Sequence, residues 1–318
     1  MELTGNMFSF PWEASLMEWL QTHLSGAVPV ISFFSAFGEE LVMILLLGFF
    51  YWWYDKKAGK SIGLSVLIGI VWNPMIKNIF LRRRPYFDHA GIRILRVVEP
   101  KADPMDIAAQ GFSFPSGHST NSVSMYGSIA KTYKKKWLTA AVLILPLLVG
   151  FSRVVVGAHY PTDVLAGWAL GLLVMLLVPW LQKKLQKDGL LYLVLLLTAL
   201  PGFFYCKSED YFTAMGLMIG FMAGSLFEDR KVRFLNTRSV PCGLLRVAGG
   251  LALYFAVNFL LKAPFPNDFL NSGSMAALLI RTARYAVIAF LEFGVYPMAF
   301  SRVEGFLFRN KNQNAVSG

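Results

Sequence analysis

Residues 137–156 read WLTAAVLILPLLVGFSRVVV, twenty positions with a single charged side chain, Arg153. A helix of that length rises about 30 Å, the thickness of the hydrocarbon core of a bilayer. The run therefore reads as a transmembrane span. An arginine in such a span costs about 2.5–3.5 kcal/mol even on the lenient insertion scale. No carboxylate stands beside Arg153 in the sequence. Two readings account for its presence: binding an anion at the membrane face, which is preferred, or a salt bridge to Asp163.

The rest of the chain has the same character. Its 318 residues are 55% hydrophobic and 15% charged, with a mean hydropathy of +0.51. Soluble domains average about 25% charged residues. Nine apolar runs are expected to span: 26–53, 61–81, 117–133, 137–156, 161–181, 189–206, 211–227, 243–261 and 278–300. The expected fold class is all-α, a polytopic helical membrane protein. Ahead of the first span, Trp12, Leu16, Trp19 and Leu20 form an amphipathic patch suited to the membrane interface. The net charge of +11 does not indicate nucleic-acid binding, because the basic residues fall in short clusters between apolar runs, as topogenic charges do. With nine spans, Cys206 and Cys242 lie at opposite faces, so no disulfide joins them. No Asn-x-Ser/Thr sequon occurs, which points toward a bacterial source.

Charge sets the orientation. Clusters at Lys56/Lys57/Lys60, Lys131/Lys134/Lys135/Lys136, Lys183/Lys184/Lys187 and Arg230/Lys231/Arg233/Arg238, joined by Arg302, Arg309 and Lys311, all fall on one side. That side is expected to be cytoplasmic. On the opposite side, the segment 82–101 gathers Arg82, Arg83, Arg84, Arg93, Arg96 and Lys101. Cations on the wrong side for topology need another purpose, and anion binding supplies one.

Three stretches on that side carry the chemistry. In Lys77-NIFLRR-Arg84-Pro85 the two cations are two helical turns apart, share a face, and can converge on one phosphate; snorkelling is the rival explanation for Lys77. In Pro115-Ser116-Gly117-His118-Ser119, a helix start offers amides to an anion and Gly117 permits close approach. Ser116 and Ser119 are equally readable as caps, and His118 as a satisfied bundle histidine. In Ser152-Arg153-VVVGA-His159-YPT-Asp163, the carboxylate four residues beyond His159 can take its Nδ1 proton and leave Nε2 as a nucleophile. The third span opens with Ser119, Thr120, Asn121, Ser122, Ser124, Gly127 and Ser128, which suits helix contacts better than lipid. The pairs Gly167/Gly171 and Gly216/Gly220/Gly224 are packing signals.

Taken together, KxxxxxxRP, PSGH and SRxxxxxHxxxD match the three signature motifs of the type-2 phosphatidic-acid-phosphatase (PAP2) superfamily, in order. The chain resembles that superfamily directly over 77–163. The resemblance implies a six-helix catalytic core, with about three further C-terminal helices here. The corresponding division is 1–25 interfacial segment, 26–206 catalytic core, and 207–318 extra spans and tail. It also implies His159 as nucleophile, Asp163 as its orienting partner and His118 as acid and then base. Lys77, Arg84, Arg153, Ser116 and Gly117 would hold the phosphoryl oxygens. With three fixed cations and no carboxylate cluster, no metal or other cofactor is expected.

The resulting expectation is a lipid phosphate phosphatase of a bacterial cytoplasmic membrane, its site facing outward. The substrate is a lipid phosphomonoester or a prenyl diphosphate, whose second phosphate would use Arg82 and Arg83 as spare cations. A lipid phosphotransferase would use the same residues. A lipid-phosphate transporter would need the cations but not the histidine geometry, and no inverted repeat is evident. Glu39 and Glu40 read as helix-packing partners, Arg281 and Arg284 as anchors of the last span, Asp103 and Asp106 as solvated, and His89 as incidental to the site.

Overall fold

The computed structural model describes residues 5–305; Arg309 and Lys311 of the basic tail lie outside them. Among the described residues every regular element is helical, with one isolated bridge between Asn6 and Arg82. Six of the described helices are long and apolar enough to cross a membrane: Lys56–Phe80, Lys136–Val155, Pro161–Leu185, Asp188–Tyr205, Glu209–Val232 and Val240–Lys262. The other three expected spans are irregular. The first is a pair, Ser25–Gly38 and Glu40–Tyr54, bent by 49°. It breaks at Glu39, whose backbone is extended, where two acidic residues interrupt the apolar run. The third passes from Gly117–Ser122 through a π-helical turn, Val123–Gly127, into Ser128–Tyr133. The ninth runs over Met275–Phe290 and then loosens into a π turn at Leu291–Val295.

The chain divides into two compact units. The first comprises Met1–Met43, Ile62–Lys184 and Ala199–Tyr211, and holds every candidate site residue. Its glycines determine how closely the site helices approach. A Cβ at Gly167 would lie 2.5 Å from the carbonyl oxygen of Ser116, and one at Gly171 would lie 2.7 Å from that of Thr120. Only glycine lets the Pro161–Leu185 helix dock so tightly on the polar third span. A core of Met17, Leu20, Ile92, Val154, Val155, Tyr160 and Val164 fixes the N-terminal helix Pro11–His23 beside the facing ends of the Lys136–Val155 and Pro161–Leu185 helices. Trp12, Leu16 and Trp19 are exposed on its other face, but Leu20 is buried. The interfacial patch is thus narrower than the sequence suggested, because Leu20 lies one turn from Met17 on the core side.

The second unit comprises Ile44–Ser61, Leu185–Thr198 and Phe212–Gly318. Here Gly216 and Gly220 act in the same way: added Cβ atoms would meet the carbonyl oxygens of Thr282 and Ala286 at 2.4 and 2.2 Å. Arg246 makes a two-pronged ion pair with Glu304, at 2.6 and 3.1 Å. Arg284 is buried, and donates to Asn258 Oδ1 at 2.9 Å rather than merely marking a helix end. Both cysteines are free and buried.

Candidate active site

Lys77 lies in the last turn of Lys56–Phe80, and its Nζ donates to the carbonyl of Phe112 at 2.9 Å. That contact ties it to the loop before the PSGH stretch, so it is fixed in place and not snorkelling. The chain then leaves the helix through Leu81, which has a positive φ of 53°, and turns Arg84 inward. Arg84 is buried. Its Nε donates to the carbonyls of Gln110 and Gly111 at 2.9 and 3.1 Å, and its Nη1 to that of Ala158 at 3.0 Å. The same Nη1 is 3.4 Å from His159 Nε2.

Ser116 caps the Gly117–Ser122 helix. Its Oγ accepts from the amide and the hydroxyl of Ser119, at 3.4 and 2.9 Å. The capping reading therefore holds for Ser116, while Ser119 is the residue it caps. The Ser116 amide donates to the Asp163 carbonyl at 2.9 Å, which joins the second and third motifs through the backbone. Asn73 steadies the same turn by donating to the Pro115 carbonyl and the Thr120 hydroxyl, at 3.3 and 3.1 Å. His118 is half-buried and shares a cleft of about 520 Å³ with Arg153.

Arg153 is 2% exposed, with Nη1 donating to Ser35 Oγ at 3.3 Å and Nε without a partner. Among the described residues it pairs with no carboxylate. The salt bridge to Asp163 that the sequence allowed is not formed, because Asp163 is taken by Arg82. His159 sits in the turn between the Lys136–Val155 and Pro161–Leu185 helices, its amide donating to the Arg153 carbonyl at 3.2 Å. Its Nδ1 is 3.6 Å from Asp163 Oδ2, close enough to orient the ring but longer than a formed hydrogen bond. Burial first, and then the charges of Arg84, Lys77 and Arg153, hold the imidazole well below its ordinary pKa. The ring is therefore neutral at pH 7.

Sequence reasoning missed what stands behind Asp163. Arg82 is buried, and its Nη1 donates to Asp163 Oδ1 at 2.6 Å while its Nη2 donates to Glu13 Oε2 at 2.7 Å. Nη1 also reaches Thr162 Oγ1 at 2.8 Å, and Nε reaches the Phe8 carbonyl at 2.7 Å. The guanidinium lies over the Tyr160 ring at 3.9 Å. Glu13 closes the circuit by accepting from the amide and hydroxyl of Thr162, at 3.1 and 2.6 Å. Arg83 pairs with Asp88 at 2.5 Å. Neither arginine serves as the expected spare cation for a second phosphate: each pairs with a carboxylate, and neither lines the cleft of His118 and Arg153.

Other sequence expectations also change. Glu39 pairs with Arg96 of the basic segment, not with a neighbouring helix. Asp106 caps the short helix Ile107–Gln110 by accepting from the amides of Ala108 and Ala109. His89 makes an edge-on ring contact with Tyr160, the residue after His159. The signals for Glu13 were weak: one of two acidic residues in a tryptophan-rich amphipathic stretch, with no lysine or arginine nearby in sequence to pair it.

An all-helical membrane protein with two histidines and three cations drawn from three ordered motifs defines a class. The chain belongs to the PAP2 superfamily: residues 58–187 match that superfamily, and residues 212–307 match the transmembrane extension of PAP2 superfamily phosphatases. It is 34% identical to the undecaprenyl-diphosphatase of Sulfolobus acidocaldarius over 144 residues, covering 44% of this chain and 63% of that protein. It is 37% identical to phosphatidylglycerophosphatase B of Bacillus subtilis over 99 residues, covering 28% and 48% of the two chains. A lipid A 1-phosphatase of Rhizobium etli shares 42% identity over 59 residues, 19% and 25% of the two. The chain thus spans less than two thirds of the length of each of these relatives. No solved structure matches it.

Proposed function

We propose that this protein is a membrane lipid phosphate phosphatase that hydrolyses a lipid phosphomonoester or prenyl diphosphate through a phosphohistidine. The observation that carries the reading is His159, a neutral imidazole whose Nδ1 faces a buried carboxylate and whose Nε2 faces a guanidinium. A phosphoryl group seated against Lys77, Arg84 and Arg153 meets Nε2 in line. Those cations, with the Ser116 hydroxyl and the Gly117 amide, balance the charge on its equatorial oxygens. As the phosphorus–oxygen bond breaks, His118 protonates the departing oxygen. Asp163, held by Arg82, stabilises the charge that develops on His159. Water activated by His118 then cleaves the phosphohistidine and releases phosphate. The relatives named above act on lipid phosphates and diphosphates, which supports the substrate class.

The basic clusters on one side and the motif loops on the other support a site on the non-cytoplasmic face. Phosphate release from a panel of lipid monophosphates and diphosphates, with and without excess EDTA, tests the reading. Hydrolysis that survives chelation is expected, because the site residues supply the charge. No release from any member, or turnover only on adding one divalent ion, contradicts it. A lipid or sugar acceptor that takes up the phosphoryl group in place of water would make the enzyme a phosphotransferase.

A further inference from the structure

The cleft beside His118 contains a second cation that the phosphoryl site does not use. Arg96 lines it together with Arg153 and His118, with Glu39 at one edge and the apolar side chains Ile94 and Val98 flanking. Arg153 is fully buried, whereas Arg96 is about one-third exposed at 34% of its side chain. Arg96 is held in place from two sides: Nη1 donates to the Ser32 carbonyl at 3.1 Å, and Nη2 pairs with Glu39. A guanidinium has five N–H donors in a rigid fork, so these contacts leave others directed at the cleft. Arg82, Arg83 and Arg93 of the same segment do not line this cleft.

Glu39 alone would repel an anion entering this cleft, and its pairing with Arg96 cancels that repulsion. Ile94, Val97 and Val98 give the cleft an apolar wall that suits a hydrocarbon chain. Arg96 shares this cleft with His118, the group that protonates the leaving oxygen, whereas Lys77, Arg84 and His159 do not line it, which suits a contact to the leaving group.

We infer that Arg96 forms a second-anion subsite, which binds the phosphate that is retained when a lipid diphosphate is cleaved. This rests on the phosphatase reading for its chemistry. His159 Nε2 bonds to the terminal phosphorus, the bond from that phosphorus to the bridging oxygen breaks, and the proton of His118 goes to the bridging oxygen. The product is a lipid monophosphate, held by Arg96 until it departs, and water later returns His159 with release of orthophosphate. Arg96 thus sets the preference for diphosphate over monophosphate esters.

Binding of two non-hydrolysable probes, methylenediphosphonate and methylphosphonate, to the full-length protein in nanodiscs tests the subsite without requiring turnover. The parent is expected to bind the diphosphonate more tightly. Arg96→Gln still offers an amide donor to the Ser32 carbonyl but has no charge. It should lower the ratio of the two affinities about 10- to 100-fold, the range for losing a charge-assisted hydrogen bond. Arg96→Lys, which keeps the charge without the fork, should give an intermediate ratio, and it decides the matter if the glutamine variant does not fold. A parent that does not prefer the diphosphonate, or a ratio unchanged within about twofold in the variants, overturns the assignment. In a parallel arm, kcat/KM for farnesyl diphosphate relative to farnesyl monophosphate should fall in step. Absence of turnover on both esters would sink the phosphatase reading while leaving the binding result to judge the subsite.

Discussion

Replacing Arg82 by methionine separates what the buried network does for stability from what it does for catalysis. Glu13 and Asp163 are both 0% exposed, and Arg82 bonds to each at 2.6–2.7 Å. Removing the cation leaves two carboxylates buried without their charge partner. Breaking a buried pair in this way costs about 3–5 kcal/mol, and here one guanidinium serves two partners. Arg82→Met should therefore lower the thermal unfolding midpoint sharply in nanodiscs. It should also slow turnover, because Asp163 loses its Oδ1 donor and keeps only the Tyr160 amide on Oδ2, at 2.8 Å. Adding Glu13→Gln removes one of the two stranded charges. The double variant should recover part of the stability but none of the rate, since Asp163 is still without its cation. Thermal unfolding and kcat measured on the parent, both singles and the double form the cycle. If Arg82→Met stays within about 1 kcal/mol of the parent at parental kcat, or if the double variant restores both quantities, the network does not position the nucleophile.

Two further outcomes follow from charge. Cysteines engineered at Lys134 and in the loop 86–112 should label differently in intact cells: the loop from outside, position 134 only after permeabilisation. The reverse pattern would invert the topology. For pH, a lowered His159 pKa means that the nucleophile stays unprotonated as pH falls below 6.5, so the acid limb of kcat/KM belonging to this group should lie on the acid side of 6.5. Arg84 is the first of the charges that lower it. In Arg84→Gln, with the same substrate so that substrate ionisation cancels, the limb should move upward as well as the rate falling. A limb that stays in place or moves down would contradict the electrostatic account.

The site was legible from sequence where chemistry and position coincide within a few residues. His159 and Asp163 are four residues apart across a helix start, and Ser116 with Ser119 forms a cap readable from spacing. The shared helical face expected of Lys77 and Arg84 is not formed, because the helix ends at Phe80 and the chain turns at Leu81 with a positive φ. Gly167 and Gly171 announced a close helix contact, though not that the partner would be the polar third span. What sequence left hidden depends on contacts across long separations. Arg82 meets Glu13 across 69 residues, and Arg96 meets Glu39 across 57, so no local pattern pairs them. Arg82 and Arg83 also misled because adjacent residues look equivalent. Their side chains diverge, one toward Asp163 and the other toward Asp88. In the fold, nine apolar runs were readable, but the break at Glu39 was not, because composition records hydrophobicity and not the bend.

In the proposed mechanism His159 carries the phosphoryl group and His118 moves the protons. Brief mixing with radiolabelled p-nitrophenyl phosphate, followed by alkaline denaturation, tests it directly. This leaving group needs little protonation, so His118→Ala should still form the intermediate and then stall for lack of a base, a loss of about 10²–10⁴-fold in turnover. The account predicts acid-labile, base-stable phosphate that accumulates on His118→Ala and is absent from His159→Ala. Label trapped on His159→Ala and missing from His118→Ala would contradict it and exchange the roles of the two histidines.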